Sequence, residues 1–286
     1  MHDERPSLTA ILVGVLRGVA PSPIEPARVV DPWAHRALPA PAGALTRALA
    51  PLMRIAPIEA AWRLGWAGLS SHIVLRTLAI DDAVRDALSA GCGQVIVLGA
   101  GFDARAARMP ELAQIPVLEV DHPATQAAKR GRLPESHARY VAVDFTRDDL
   151  AERLTASGLL PGVPAAVVWE GVTPYLPPDV TGATLAVLGR VLPPGSMVIT
   201  SFCLPELMSV LRRHGWLAHL LFRWIGEPLA GVISEDDVQE LARRAGLSPL
   251  RTSGARDWAR RYGREEPLNI IEERVLVARR EPLPAP

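Results

Sequence analysis

The stretch VIVLGAGFDAR, residues 95–105, decides the fold. Four apolar residues run straight into Gly99 and Gly101, the pattern of a buried β-strand that turns abruptly into a helix. Gly99 permits the tight turn, and Gly101 lets the backbone come close to a ligand. Twenty positions beyond Gly101, a second apolar run, Val117–Asp121 (VLEVD), ends in an acid. A carboxylate there can accept hydrogen bonds from both hydroxyls of a ribose, so turn and acid together read as a nucleoside-cofactor site. They leave the cofactor open, because GAGFDA also satisfies the glycine pattern of dinucleotide-binding enzymes. The plainer alternatives are an ordinary strand–helix turn for the glycines and a helix N-cap ahead of Pro123 for Asp121.

Working outward, β-rich runs alternate with helical stretches. Strands are predicted at Gln94–Leu98, Val117–Asp121, 140–144, Ala165–Trp169 and 197–202, with helices between them at 104–113, 124–132, 148–157 and 179–191. This alternation predicts βαβ units, hence an α/β Rossmann-like sheet that is parallel and has helices on both faces. A helix over 235–245 starts at Ser234 with Asp237 three positions on, a capping-box-like start. Runs at 249–252 and 274–278 predict an antiparallel closing pair, making the last strand antiparallel. Upstream, Leu8, Ile11, Leu12, Val15, Leu16 and Val19 recur at helical spacing. Arg17 and the charge-balanced MHDERP ahead of them favour a buried amphipathic helix over a signal peptide. Residues 20–57 are Pro-rich and predict loop with short helical pieces, and 62–90 predict a helix. Residues 204–232 read as a helical insertion after the fifth strand. The expected organisation is therefore a single domain, 1–286. A helical cap over 1–90 and a helical lid over 204–232 would cover a core of 91–203 and 233–280.

Three further features separate the cofactors. Asp144 and Phe145 end the third strand, a carboxylate and a ring where an adenine would lie. Glu170 ends the fourth strand, an acid placed to hold an ammonium group. Asp103 follows the glycine turn, where a negative charge repels a pyrophosphate and suits a cationic ligand. Together they favour S-adenosyl-L-methionine over a dinucleotide. The segments SHIVLRTLAIDDAV, QVIVLGAGFDARAARM, EVDHPATQAAKR, VAVDF, WEGVTPYLPPD and GEPLAGVISEDDVQELARRAGL extend the pattern. In these the chain resembles the leucine carboxyl methyltransferase-like family of class I S-adenosylmethionine-dependent methyltransferases, including its bacterial branch acting on small molecules such as polyketides. The resemblance implies that Arg76 holds the cofactor's carboxylate and that the Gly99–Gly101 turn passes beneath its methionine part. It also implies that Asp121 binds the ribose, Asp144 and Phe145 frame the adenine, and Glu170 sits near the amino acid end. Phe102 and Ala104 depart from the family's usual Leu and Thr, and the 204–232 insertion matches no family pattern.

Composition narrows the partners. The 286 residues carry 31 Lys+Arg against 31 Asp+Glu, a balance that speaks against nucleic acid or an anionic membrane as the main partner. Two cysteines make neither a disulfide framework nor a Cys-rich metal site, no His/Cys/acid spacing suggests a metal, and the expected compartment is the cytoplasm. Lys129 is the sole lysine, and tryptophan supplies seven aromatics against three Tyr and four Phe. Six of the seven fall outside the predicted core strands. Trp62, Trp66, Trp216 and Trp224, with Tyr175, are accordingly candidates for an aromatic-walled substrate pocket. Candidates for a general base are Tyr175, His214, His219 and His122. The expected activity is methyl transfer to a small, apolar or aromatic specialised metabolite, at a carboxylate or hydroxyl oxygen. A carbon or nitrogen acceptor on an aromatic or indole scaffold is the alternative, and an NAD-dependent oxidoreductase the remote one. Composition and spacing leave the oligomeric state open.

Overall fold

A computed structural model of the chain describes residues 6–21, 30–66, 68–134, 136–145, 147–206, 230–263 and 272–282. Its centre is a seven-stranded sheet: β1 (Gln94–Leu98), β2 (Val117–Asp121), β3 (Arg139–Ala142), β4 (Ala165–Trp169), β5 (Met197–Cys203), β6 (Leu247–Gly254) and β7 (Glu273–Arg280). The spatial order is β3-β2-β1-β4-β5-β7-β6. β1 to β5 are parallel, and β7 inserts antiparallel between β5 and β6. The chain moves outward from β1 through β2 to β3, then returns to place β4 on the other side of β1. That reversal is the point at which open α/β sheets bind ligands. Leu98 pairs with both Val120 and Trp169, so Gly99, Asp121 and Glu170 leave the sheet at nearly one level.

The two sheet faces follow the strand period of two. Val95, Val97, Ala166, Val168 and Ile199 pack with Leu75, Ile80 and Val84 of α5 (Leu69–Ser89) and with Trp258 of a helix discussed below. Ile96, Leu98, Val167, Trp169 and Val198 pack instead with Leu154 of α8 (Leu150–Ala156) and Leu185 and Leu188 of α9 (Pro178–Val191). Val238 and Ala242 of α10 (Glu235–Arg244) join this second layer. Ser234 caps α10 as the sequence predicts, its Oγ accepting the Asp237 N–H at 3.1 Å.

The N-terminal cap is more helical than proline content suggests. After α1 (Leu8–Val19) and α2 (Ala34–Ala37), α3 (Ala40–Leu49) runs ten residues because Pro41 sits in its first turn, where no N–H is needed. A 3-10 turn (Ala50–Arg54) and α4 (Ala56–Gly65) follow. The stretch expected as one helix over 62–90 breaks at Gly68, between α4 and α5. The helix expected over 104–113 is only α6 (Arg105–Arg108) plus a 3-10 turn, since Pro110 lacks the N–H to continue it. α7 (Pro123–Lys129) follows β2. α11 (Ala255–Arg261) appears without having been foreseen, its Trp258 buried against the sheet with its indole N–H donated to Ser253 Oγ at 2.9 Å. Of the 204–232 insertion only its two ends lie within the described residues, where Ile233 N–H donates to Cys203 carbonyl at 2.9 Å. Among the described residues, no helix is long and apolar enough to cross a membrane.

Candidate functional site

The carboxyl ends of β1, β2 and β4 open into a cleft of about 380 Å³. Its floor is the turn after β1. Gly99 has φ 63° and Gly101 φ 50°, a region that side chains disfavour. A Cβ on Gly99 would lie 2.1 Å from Val172 Cγ2, so glycine here is required by space as well as by backbone conformation. Asp121 faces this turn. Its Oδ2 accepts the Gly101 N–H at 2.5 Å and its Oδ1 the His122 N–H at 2.6 Å. Burial raises its carboxyl above the ordinary value, against the pull of those two N–H donors. The N-cap of α7 is His122, whose Nδ1 accepts the Ala124 N–H at 3.3 Å, so Asp121 is left for the cleft.

All seven residues expected to hold a cofactor, Arg76, Gly99, Gly101, Asp121, Asp144, Phe145 and Glu170, line this one cleft, and Tyr175 and His122 join them. Its roof is α1, through Ser7, Thr9, Ala10, Val13 and Arg17. The roof follows from the sequence of α1. Ser7 Oγ accepts the Ala10 N–H at 3.0 Å to start the helix, and Gly18 lets its far side close on Ala34 and Thr46. A Cβ on Gly18 would stand 2.6 Å from Thr46 Cγ2.

Beneath the cleft runs a chain of buried ion pairs. Arg76 donates to Glu170 Oε1 at 2.9 Å and to Glu273 Oε2 at 2.6 Å, and His72 Nε2 lies 2.9 Å from Glu273. The other Glu170 oxygen faces Arg105 Nη1 at 2.8 Å. Arg105 also pairs with Asp103 and, at 2.7 Å, with Asp81, which Arg108 shares at 2.6 Å. Arg17 joins it from the roof, donating to the Phe102 carbonyl at 3.1 Å and standing 3.9 Å from both Asp103 and Asp31. Burial works against every charge in this group, yet the guanidiniums prevail at the acids. Arg105 and then Arg76 hold Glu170 far below the carboxylate range; Arg76 and His72 bring Glu273 down to about 2. Arg105 and then Arg17 likewise depress Asp103. At the basic end, Glu273 and Glu170 raise Arg76 despite its desolvation. A second buried pair, Lys129 Nζ to Glu119 Oε2 at 2.5 Å, braces α7 on β2.

This network changes two readings. Asp103 is not a free negative charge awaiting a cation, because Arg105 and Arg17 already answer it. Glu170 stands where expected, with its charge matched by two guanidiniums. Arg17, which interrupts the apolar stripe of α1, is a cleft residue that sequence reading missed. A lone arginine among helical apolar positions has to find a carboxylate when that stripe is buried.

The aromatic candidates disperse. Trp62 lines a separate small hollow with Ala20, Ser70 and Val74, and the Trp66 ring lies 5.5 Å from it; neither borders the cleft. Trp258, one of the six tryptophans outside the predicted core strands, is nonetheless buried in the core. Trp216, Trp224, His214 and His219 lie outside the described residues. Among the described residues, no group of three His, Cys, Asp or Glu could hold a metal ion.

Comparison with known proteins adds lineage to this geometry. The sequence pattern of leucine carboxyl methyltransferase matches residues 10–189. A provisionally named S-adenosyl-L-methionine-dependent methyltransferase of Mycolicibacterium paratuberculosis is 31% identical over 201 residues, 68% of this chain and 56% of that protein. One from Mycolicibacterium smegmatis is 34% identical over 212 residues, 66% of this chain and 64% of its own. The chain thus spans less than two thirds of the length of the curated relatives it matches. A crystal structure from Thermobifida fusca, provisionally named a methyltransferase, superposes with a TM-score of 0.58 at 15% identity, covering 97% of this chain and 96% of that one. That likeness bears on the fold.

Proposed function

The chain belongs to the leucine carboxyl methyltransferase family, and from that premise we propose that it is an S-adenosyl-L-methionine-dependent methyltransferase acting on a small, largely apolar metabolite at an oxygen atom. One observation carries the cofactor reading: Asp121 ends β2 and grips the Gly101 N–H in the turn after β1, at the sheet's switch point. The cleft fits the group. A carboxylate offers about four lone-pair sites, and Asp121 spends two of them on backbone N–H groups, leaving others for a ribose diol. The side-chain-free turn at Gly99 and Gly101 leaves room for the methionine part. Arg76 directs Nε and one Nη2 N–H to Glu170 and Nη1 to Glu273; its remaining N–H would meet the carboxylate, and Asp144 with Phe145 would frame the adenine. When bound, S-adenosyl-L-methionine supplies a methyl group already activated by a sulfonium for in-line displacement.

What remains for the protein is alignment and exclusion of water, worth at most about 7–11 kcal/mol. Ala10 and Val13 of the roof and Val172 and Leu176 at the wall serve that purpose. The floor carboxylates and guanidiniums are locked in ion pairs, so Tyr175 and His122 are the groups nearest to hand as a base. A carboxylate acceptor would need neither, being ionised at neutral pH, and we favour it for that reason. We place the protein in the cytoplasm, where the buried thiols of Cys92 and Cys203 stay reduced, and assign it to specialised metabolism.

Isothermal titration with S-adenosylhomocysteine and with NAD tests the cofactor. Binding of the first alone is expected; binding of NAD alone would overturn the reading. Methyl transfer to a panel of aromatic acids, phenols and indoles then tests the substrate class, and activity confined to a peptide C-terminus would refute it.

A further inference from the structure

The formal neutrality of the chain conceals a local asymmetry. Residues 32–58 contain Arg36, Arg47 and Arg54 but no Asp or Glu. The same stretch holds four of the seven large hydrophobic side chains exposed among the described residues: Leu45 at 51%, Leu52 at 41%, Ile55 at 49% and Ile58 at 37%. Exposed Pro51, Ala56 and Pro57 fill the intervals. The 3-10 turn contacts α3 on one side and α4 on the other, and its Met53 turns inward to join Val15, Val19 and Phe102. Their inward side is thereby spent on the roof of the cleft, and their outward side is left apolar and basic. Single exposed leucines such as Leu160 and Leu250 need no explanation, whereas a clustered patch marks an interaction surface.

We propose that this outer face of the cap docks on an anionic lipid bilayer. Leu52, Ile55 and Ile58 would enter the boundary between headgroups and acyl chains, with Arg47 and Arg54 against lipid phosphates. Amphipathic surfaces of this composition bind membrane interfaces by combining buried apolar area with attraction to anionic lipid. Arg47 and Arg54 are both exposed, within reach of a lipid phosphate. A second copy is the poorer occupant. A twofold contact sets the same patch against itself, and this stretch would bring arginines together with no acid between them. α1 lines the cleft and packs on α2 and α3 through Gly18, so an apolar substrate dissolved in the bilayer would arrive beside the roof. The inference stands apart from the methyl-transfer reading and is tested without it.

Co-sedimentation of the full chain with phosphatidylcholine vesicles, and with vesicles of phosphatidylcholine and phosphatidylglycerol, provides the test. Binding to the anionic vesicles alone is expected, weakened as salt rises. Arg47→Glu and Arg54→Glu should each lower the partition coefficient about fivefold or more. Leu52→Asp with Ile55→Asp should abolish binding while circular dichroism stays unchanged. Failure to bind either vesicle would overturn the proposal. So would binding that survives both sets of substitutions, or a dimer in sedimentation equilibrium that dissociates in the Leu52→Asp/Ile55→Asp variant and leaves vesicles untouched.

Discussion

Replacing Glu273 by Gln removes one charge from the buried network while keeping the side chain's shape. Glu273 holds Arg76 at 2.6 Å and His72 at 2.9 Å, and is itself only 4% exposed. Removing one partner of a buried pair costs about 3–5 kcal/mol, and the lower end applies because Arg76 keeps Glu170. Proton linkage gives the same size. A carboxyl brought from 4.5 to about 2 by Arg76 and His72 contributes about 3 kcal/mol once ionised. The sign follows from the depressed value. The contribution is complete above the unfolded value of 4.5 and disappears as pH falls through about 2. Urea unfolding of wild type and Glu273→Gln should therefore differ by about 3 kcal/mol near neutrality, or roughly 6–12 °C in Tm. The gap should narrow progressively below pH 4.5. A gap near neutrality within the ~1 kcal/mol typical of exposed pairs, or one that does not change as pH falls, would refute the reasoning.

Three other substitutions probe the site and its roof. Asp121→Asn should weaken S-adenosylhomocysteine roughly 10- to 100-fold, the worth of a hydrogen bond to a charged group, and titration calorimetry showing unchanged affinity would remove Asp121 from the site. Gly99→Ala forces a Cβ to within 2.1 Å of Val172 at φ 63°, so a fall in Tm together with loss of cofactor binding is expected. Gly18→Ala sets two effects against each other. Helix propensity favours alanine by about 1 kcal/mol, but overpacking against Thr46 and Ala34 costs about 1–3 kcal/mol, so net destabilisation in chemical unfolding is expected, and a more stable variant would show that α1 and α3 are not held this tightly.

How much was legible in the sequence depended on whether local periodicity or long-range contact did the work. β1, β2 and β4 could be read residue by residue because buried parallel strands are continuous apolar runs ending at glycine or an acid. Six of the seven proposed cofactor positions, Gly99, Gly101, Asp121, Asp144, Phe145 and Glu170, follow strand ends, which in a parallel sheet converge on one edge; Arg76, within α5, is implied by the family resemblance alone. Tertiary packing overrode local signals elsewhere. Pro41 looked like a breaker and became a helix start, and Trp258 looked peripheral but fills the core through α11. The ion network was the least accessible. Arg76 meets Glu170 94 residues away and Glu273 197 away, separations at which no spacing rule applies. Asp103 consequently looked free, and Arg17 looked like an interruption.

Lys129 gives this molecule an unusual chemical property. The 286 residues contain no other lysine, and its Nζ is held by Glu119 with the side chain 1% exposed. Amine-directed chemistry, whether acetyl transfer, ubiquitin conjugation or a succinimidyl ester, therefore finds no lysine on the folded surface. Acylation at Lys129 requires α7 to lift from β2, so its rate measures that local opening. The chain thus carries its own reporter of transient exposure beside the strand that ends in Asp121, needing no engineered label.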